Sequence, residues 1–148
     1  MKFVSSDDTI TIYIYKNEVI DDINDYMKKL ILRLKRKFHI DIFGFYQANI
    51  YKNNKIGMII DLLKEDDIEF FTDLVDLKIK VYENSNMYLK FNDYFFSEKK
   101  KVYVINGNYY INIDEVSKKD FLSMIEFGSI IYGEELAKVK KELIVYEK

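Results

Sequence analysis

Between Asn17 and His39 the sequence NEVIDDINDYMKKLILRLKRKFH spaces its apolar side chains for one face of a long helix. Ile20, Ile23, Met27, Leu30, Ile31, Leu34 and Phe38 recur at steps of three and four, which a 3.6-residue turn gathers into a single stripe. Glu18, Asp21, Asp22 and Asp25 fall in the first turns. Lys28, Lys29, Arg33, Lys35, Arg36 and Lys37 fall in the last, so the charges complement the macrodipole. Such a stripe needs an apolar surface to lie on, and the rest of the chain offers short β-rich segments. The expected fold class is therefore α+β: one compact domain, with antiparallel sheet or sheets packed against one long N-terminal helix and a C-terminal helical segment.

The β segments are read from a change of period. Thr9 to Tyr15, TITIYIY, alternates strictly, with Ile10, Ile12 and Ile14 on one face. IDIFGFYQANIY and IGMIIDLL flank Lys52-Asn53-Asn54-Lys55 and predict a hairpin whose Asn pair tolerates positive φ. Gly44 and Gly57 mark bulges or places where the helix comes close to the sheet. Residues 68–75 (IEFFTDLV) are expected to form a short helix. Leu77 to Val81, Met87 to Phe91, Val102 to Ile105 and Tyr109 to Ile113 then read as a four-strand meander, with Tyr94 to Lys101 as a loop and Asn106-Gly107 as a type I′ turn. Ser117 with Asp120 resembles a capping box, and Phe121, Met124, Ile125, Gly128, Ile131 and Tyr132 continue at helical spacing. Gly133 breaks that helix, and Glu134 to Leu143 form another before the tail Ile144-Val145-Tyr146. The halves 1–67 (strand–helix–hairpin) and 76–148 (meander plus helix) are an alternative division into subdomains, although no Gly/Ser-rich or proline-rich seam separates them.

Composition removes whole classes of chemistry. The chain of 148 residues has no Cys, which excludes disulfides, thiolate zinc sites, iron–sulfur clusters and a cysteine nucleophile. A hydrophobic share of 49% beside 32% charged residues is that of a globular protein. No apolar run is long enough for a membrane span or a signal peptide, so a cytoplasmic location is expected. The lack of Pro and the abundance of Ile, Lys, Asn and Tyr match proteins of AT-rich genomes, such as low-GC bacteria and their phages. A net charge of −2 lacks the strongly basic footprint of a nucleic-acid binder.

Catalytic constellations are equally scarce. His39 is the single histidine and sits where a C-terminal helix cap belongs. Neither HExxH nor GxSxG occurs, and Gly128-Ser129 lacks the flanks of a nucleophile elbow. Glu65, Asp66, Asp67, Asp114 and Glu115 sit beside strand ends, where acids solvate turns, and EDD at 65–67 does not match a calcium loop. No phosphate-cradling glycine motif is present, and no cofactor or metal is expected.

Two binding surfaces remain. Tyr13, Tyr15, Tyr82, Tyr88 and Tyr103 alternate with the aliphatic residues of their strands; they either form a protein-interaction face, for a partner or a second copy, or are covered by the C-terminal helices or by cross-strand Tyr–Lys pairs. Lys28, Lys29, Arg33, Arg36 and Lys37 belong to six bases at 28–37 with no acid among them, and near Phe43-Gly44-Phe45-Tyr46 they offer a nucleic acid a backbone-binding patch. Lys99-Lys100-Lys101 is a second, smaller cluster. The C-terminal segments NGNYYINIDEV and FLSMIEFGSIIYGEE are similar to the end of MecA-type adaptor proteins, where a hairpin with paired tyrosines precedes a helix, though no diagnostic residue is shared. The function expected is a small non-enzymatic protein acting through protein–protein contact: a regulator, an adaptor or a phage-type inhibitor. The alternative is nucleic-acid binding through the basic end of the first helix.

Overall fold

The computed structural model describes residues 1–6, 8–65, 75–93 and 102–142, together with the backbone of 144–146. Over the described residues it is α+β, with three α-helices and two five-stranded sheets. The chain divides into two compact units: Met1–Lys52 with Gly57–Tyr82, and Asn53–Ile56 with Glu83–Lys148.

In the first unit, Lys2–Ser6 (β1) and Thr9–Ile14 (β2) pair antiparallel, and the sequence pattern had not disclosed β1. The first helix follows as Ile23–Phe38 (α1), shorter than the expected 17–39 and preceded by two strands. Asp22 is its N-cap, its carboxylate accepting from Asn24 N–H at 3.0 Å and Asp25 N–H at 3.3 Å. Glu18 is not in the first turn. It lies beside the helix and accepts a hydrogen bond from the Tyr26 hydroxyl, with Lys16 Nζ at 3.3 Å. Residues 17–22 thus spend their acids on a cap and a side contact rather than on another helical turn.

Gly44–Asn53 (β3), Gly57–Lys64 (β4) and Val75–Tyr82 (β5) complete the sheet in the order β1-β2-β4-β3-β5. Every residue of the expected helical stripe joins the core. Met27, Leu30, Ile31 and Leu34 bury themselves among Ile10, Ile12, Ile14, Tyr46, Ala48, Ile50, Met58, Ile60 and Leu62, while Ile20, Ile23 and Phe38 pack at the margin. The β3–β4 turn forms without positive φ at the Asn pair. Asn53 instead lends its side-chain oxygen to Lys55 N–H (2.9 Å) and Ile56 N–H (3.2 Å). Gly57 takes the positive φ of 117°, and a Cβ there would lie 2.7 Å from Lys16 N, so the close neighbour is the chain leaving β2 and not the helix.

β5 corrects the expected meander. It lies parallel to β3, from Gly44 opposite Val75 to Tyr51 opposite Tyr82, and belongs to the first sheet. Alternation along Leu77, Ile79 and Val81 reports two faces but not the neighbouring strand. The helix expected at 68–75 and the loop at 94–101, with Asp66, Asp67, Lys99, Lys100 and Lys101, lie outside the described residues save for Val75, which opens β5.

The second unit carries Tyr88–Phe91 (β6), Val102–Ile105 (β7), Asn108–Asn112 (β8), Ser129–Ile131 (β9) and Ile144–Tyr146 (β10), antiparallel in the order β10-β7-β8-β6-β9. Asn106 and Gly107, at φ 48° and 80°, make the type I′ turn between β7 and β8. Lys118–Met124 (α2) starts at Ser117, whose hydroxyl accepts from Asp120 N–H at 3.1 Å. The expected helix then ends early: Ile125–Phe127 is a 3-10 turn, and Ser129–Ile131 pairs with β6. β-branched Ile130 and Ile131 follow Gly128, where a strand approach wins over helical spacing. Gly133–Lys140 (α3) stands where a helix over 134–143 was expected, but it includes Gly133 and stops at Lys140; the supposed tail is β10, paired with β7. Among the described residues no helix is long and apolar enough to cross a membrane.

Candidate interaction surface

The five tyrosines divide between the two units, Tyr13, Tyr15 and Tyr82 in the first and Tyr88 and Tyr103 in the second. Tyr88 is buried, its ring meets that of Tyr103 edge-on at 6.0 Å, and both pack with Leu136 and Val139 of α3. Lys140 Nζ lies 5.9 Å from the Tyr88 ring, and Asn112 Nδ2 donates to its hydroxyl at 3.4 Å. The apolar side of α3 needs a cover, and these two rings supply it, which removes Tyr88 from the outward face expected of it.

In the first unit the rings pair within the sheet. Tyr13 and Tyr15 lie 6.0 Å apart, with Lys2 Nζ 5.7 Å from the Tyr13 ring. Burial, reinforced by Tyr13, pushes the Tyr15 phenol up to about 12. Tyr82 stacks on its cross-strand partner Tyr51 at 4.8 Å and 6°, with Lys80 Nζ 5.1 Å from the Tyr82 ring. Tyr13, Tyr15 and Tyr82 stay half-buried beside these contacts.

The basic residues, by contrast, come together. Packing of the apolar stripe against the sheet turns the opposite side of α1 outward, and Lys28, Lys29, Leu32, Arg33, Arg36 and Lys37 are all exposed. Lys29, Leu32, Arg33, Arg36 and Lys37 recur at steps of one, three and four and line an open groove of about 470 Å³. Lys29 meets Asp25 at 2.9 Å, an exposed pair, and Arg33 feels the Glu18 carboxylate. That carboxylate is held below its ordinary range chiefly by the Tyr26 hydrogen bond. The Tyr26 phenol is raised in turn, by burial first and by Glu18 second. Lys37 Nζ stands 5.4 Å from the Phe38 ring. Among the described residues Lys28 and Arg36 make no ion pair.

Leu32 was missed by the sequence reading. It is 50% exposed in the middle of these cations, and it is the one apolar residue of α1 that lies wholly off the buried stripe. That mismatch with the stripe was the available signal.

A second hollow, of about 310 Å³, lies at the end of α1 among Lys35, His39, Ile40, Asp41, Ile42 and Phe43. His39 is the C-cap, in the left-handed region at φ 53° and ψ 40°. Of the candidate carboxylates, Glu65 meets Lys78 at 3.5 Å in the first unit; in the second, Asp114 sits in a 3-10 turn and its backbone carbonyl accepts from Lys55 Nζ at 2.7 Å. Among the described residues no group of His, Cys, Asp or Glu is placed to hold a metal. No family model, curated protein or solved structure matches the chain.

Proposed function

We propose that this is a non-catalytic interaction protein, a cytoplasmic regulator, adaptor or phage-type inhibitor, whose binding surface is the outward side of α1. The observation that carries the reading is the groove of Lys29, Leu32, Arg33, Arg36 and Lys37, where four of the five basic candidates meet on the exposed side of one helix. Arginine is favoured at interfaces because its planar fork pairs carboxylates with little loss of freedom. This reading sets the protein-interaction surface on the helix, where the sequence had offered the tyrosine faces. Its test is a pull-down with the wild-type chain and with Arg36→Glu/Lys37→Glu, followed by titration of any stoichiometric partner as purified protein. Binding weakened by about tenfold or more in the variant is expected. Equal affinity for both proteins removes the α1 face.

The six-base run also favours a second reading, a nucleic acid on the same residues. Neutralising about five phosphates would give log affinity a slope of about −4 against log salt, and the same double variant would flatten it. A slope that the variant leaves unaltered removes these residues from that reading.

A further inference from the structure

We infer that the occupant of the α1 groove is an acidic, amphipathic segment of another protein, which sets an apolar side chain on Leu32 and carboxylates against Lys29, Arg33, Arg36 and Lys37. The inference rests on the interaction reading above and narrows it to one partner chemistry. Leu32 decides between occupants. It stands three residues after Lys29, one before Arg33 and four before Arg36, so cations border it along the helix. Its exposed half gains only from a ligand that brings apolar surface to the centre of the groove. A phosphate backbone would engage the cations and leave Leu32 idle. A second copy of this chain in a two-fold contact would press one basic face on the other, which like-charge repulsion opposes. An acidic segment with an apolar residue at its centre satisfies both features, with charge pairs at the rim and an apolar contact in the middle.

The test pans a random peptide library on the full-length protein and measures a labelled thymidine homopolymer in parallel at low salt. Selected peptides are expected to carry Asp and Glu around a central Leu, Ile or Phe. Leu32→Ser and Arg36→Glu are each expected to weaken them by about tenfold, with unchanged melting as the control for folding. Failure to enrich acidic sequences, or equal binding to Leu32→Ser, overturns the inference. Binding of the homopolymer that Arg36→Glu weakens and Leu32→Ser does not, in place of peptide selection, overturns it too but leaves α1 as an anion-binding face. If Arg36→Glu affects no ligand, the inference and the interaction reading fall together.

Discussion

Gly128 carries a constraint that its backbone angles alone would hide. Its φ of −139° is extended and open to any residue, yet a Cβ there would lie 2.6 Å from Phe91 Cε1 and 2.7 Å from Lys90 O. Phe91 is fully buried, so the ring has little room to retreat. Gly128→Ala should therefore destabilise the fold by about 1–3 kcal/mol through overpacking, read as a lower urea midpoint at unchanged slope. Gly107 offers the contrast, for at φ 80° a Cβ meets nothing within 4 Å, and Gly107→Ala should cost about 1 kcal/mol from backbone strain alone. Equal stability of Gly128→Ala and wild type would show that β9 approaches β6 less closely. The Tyr15 phenol gives a second prediction. Its proton is held more tightly in the folded state, at about 12 against 10.0, so unfolding releases it in alkali. The stability it contributes is fully present below pH ~10 and is lost as pH rises through ~12. Urea midpoints taken at about pH 9 and pH 11 should fall for the wild-type chain and fall less for Tyr15→Phe. Tyr26, raised in the same direction, leaves a residual slope. Identical pH dependence in the two proteins would remove Tyr15 as a source of it.

At the scale of elements, α1 shows how a helix start is decided. Apolar spacing extends back to Ile20, and Ile20 does pack on the core, but the hydrogen bonds begin at Asp22. Asp22→Ala should cost about 1 kcal/mol, the usual worth of an N-cap, whereas Asp21→Ala, one residue outside the helix, should be near neutral. Thermal melts of the pair check this, and an equal loss in both would place the helix start further back, nearer the sequence expectation. Much of the element pattern was legible for the same local reasons: the isoleucine alternation of β2, the Asn106-Gly107 turn, the Ser117 cap and the stripe of α1 each encode their structure within a few residues. What was hidden depended on distant partners. KFVSS in β1 has no alternation that marks a strand, and it is one only because β2 folds back on it. Ser129–Ile131 satisfies helical spacing and is still a strand because β6 offers an edge. The candidate surface followed the same division, since the positions of the bases on α1 could be read from spacing, while the burial of Tyr88 required knowing where α3 would land.

The charge of the whole molecule is unevenly distributed, and that gives the α1 face a readout that needs no partner. Six of the 23 bases lie within 28–37, so the remaining 17 face 25 acids. A chain with a net charge of −2 should, by bulk charge, flow through a sulfonate cation exchanger at pH 7. At about 0.01 M salt the screening length is ~30 Å, whereas near 0.15 M it is ~8 Å. A resin bead touches one side of a protein at a time, so a local basic stripe can hold the chain at low salt and release it as salt rises. Retention of the wild type, elution by moderate salt and loss of retention in Arg36→Glu/Lys37→Glu are therefore expected. The control is Lys118→Glu/Lys119→Glu, which lowers the net charge by the same four units at two exposed positions of α2. If retention follows net charge alone, both double variants flow through, as does the wild type, and α1 has no special standing. If it follows the stripe, only the first does, and the groove that holds Leu32 is established as an accessible cationic face.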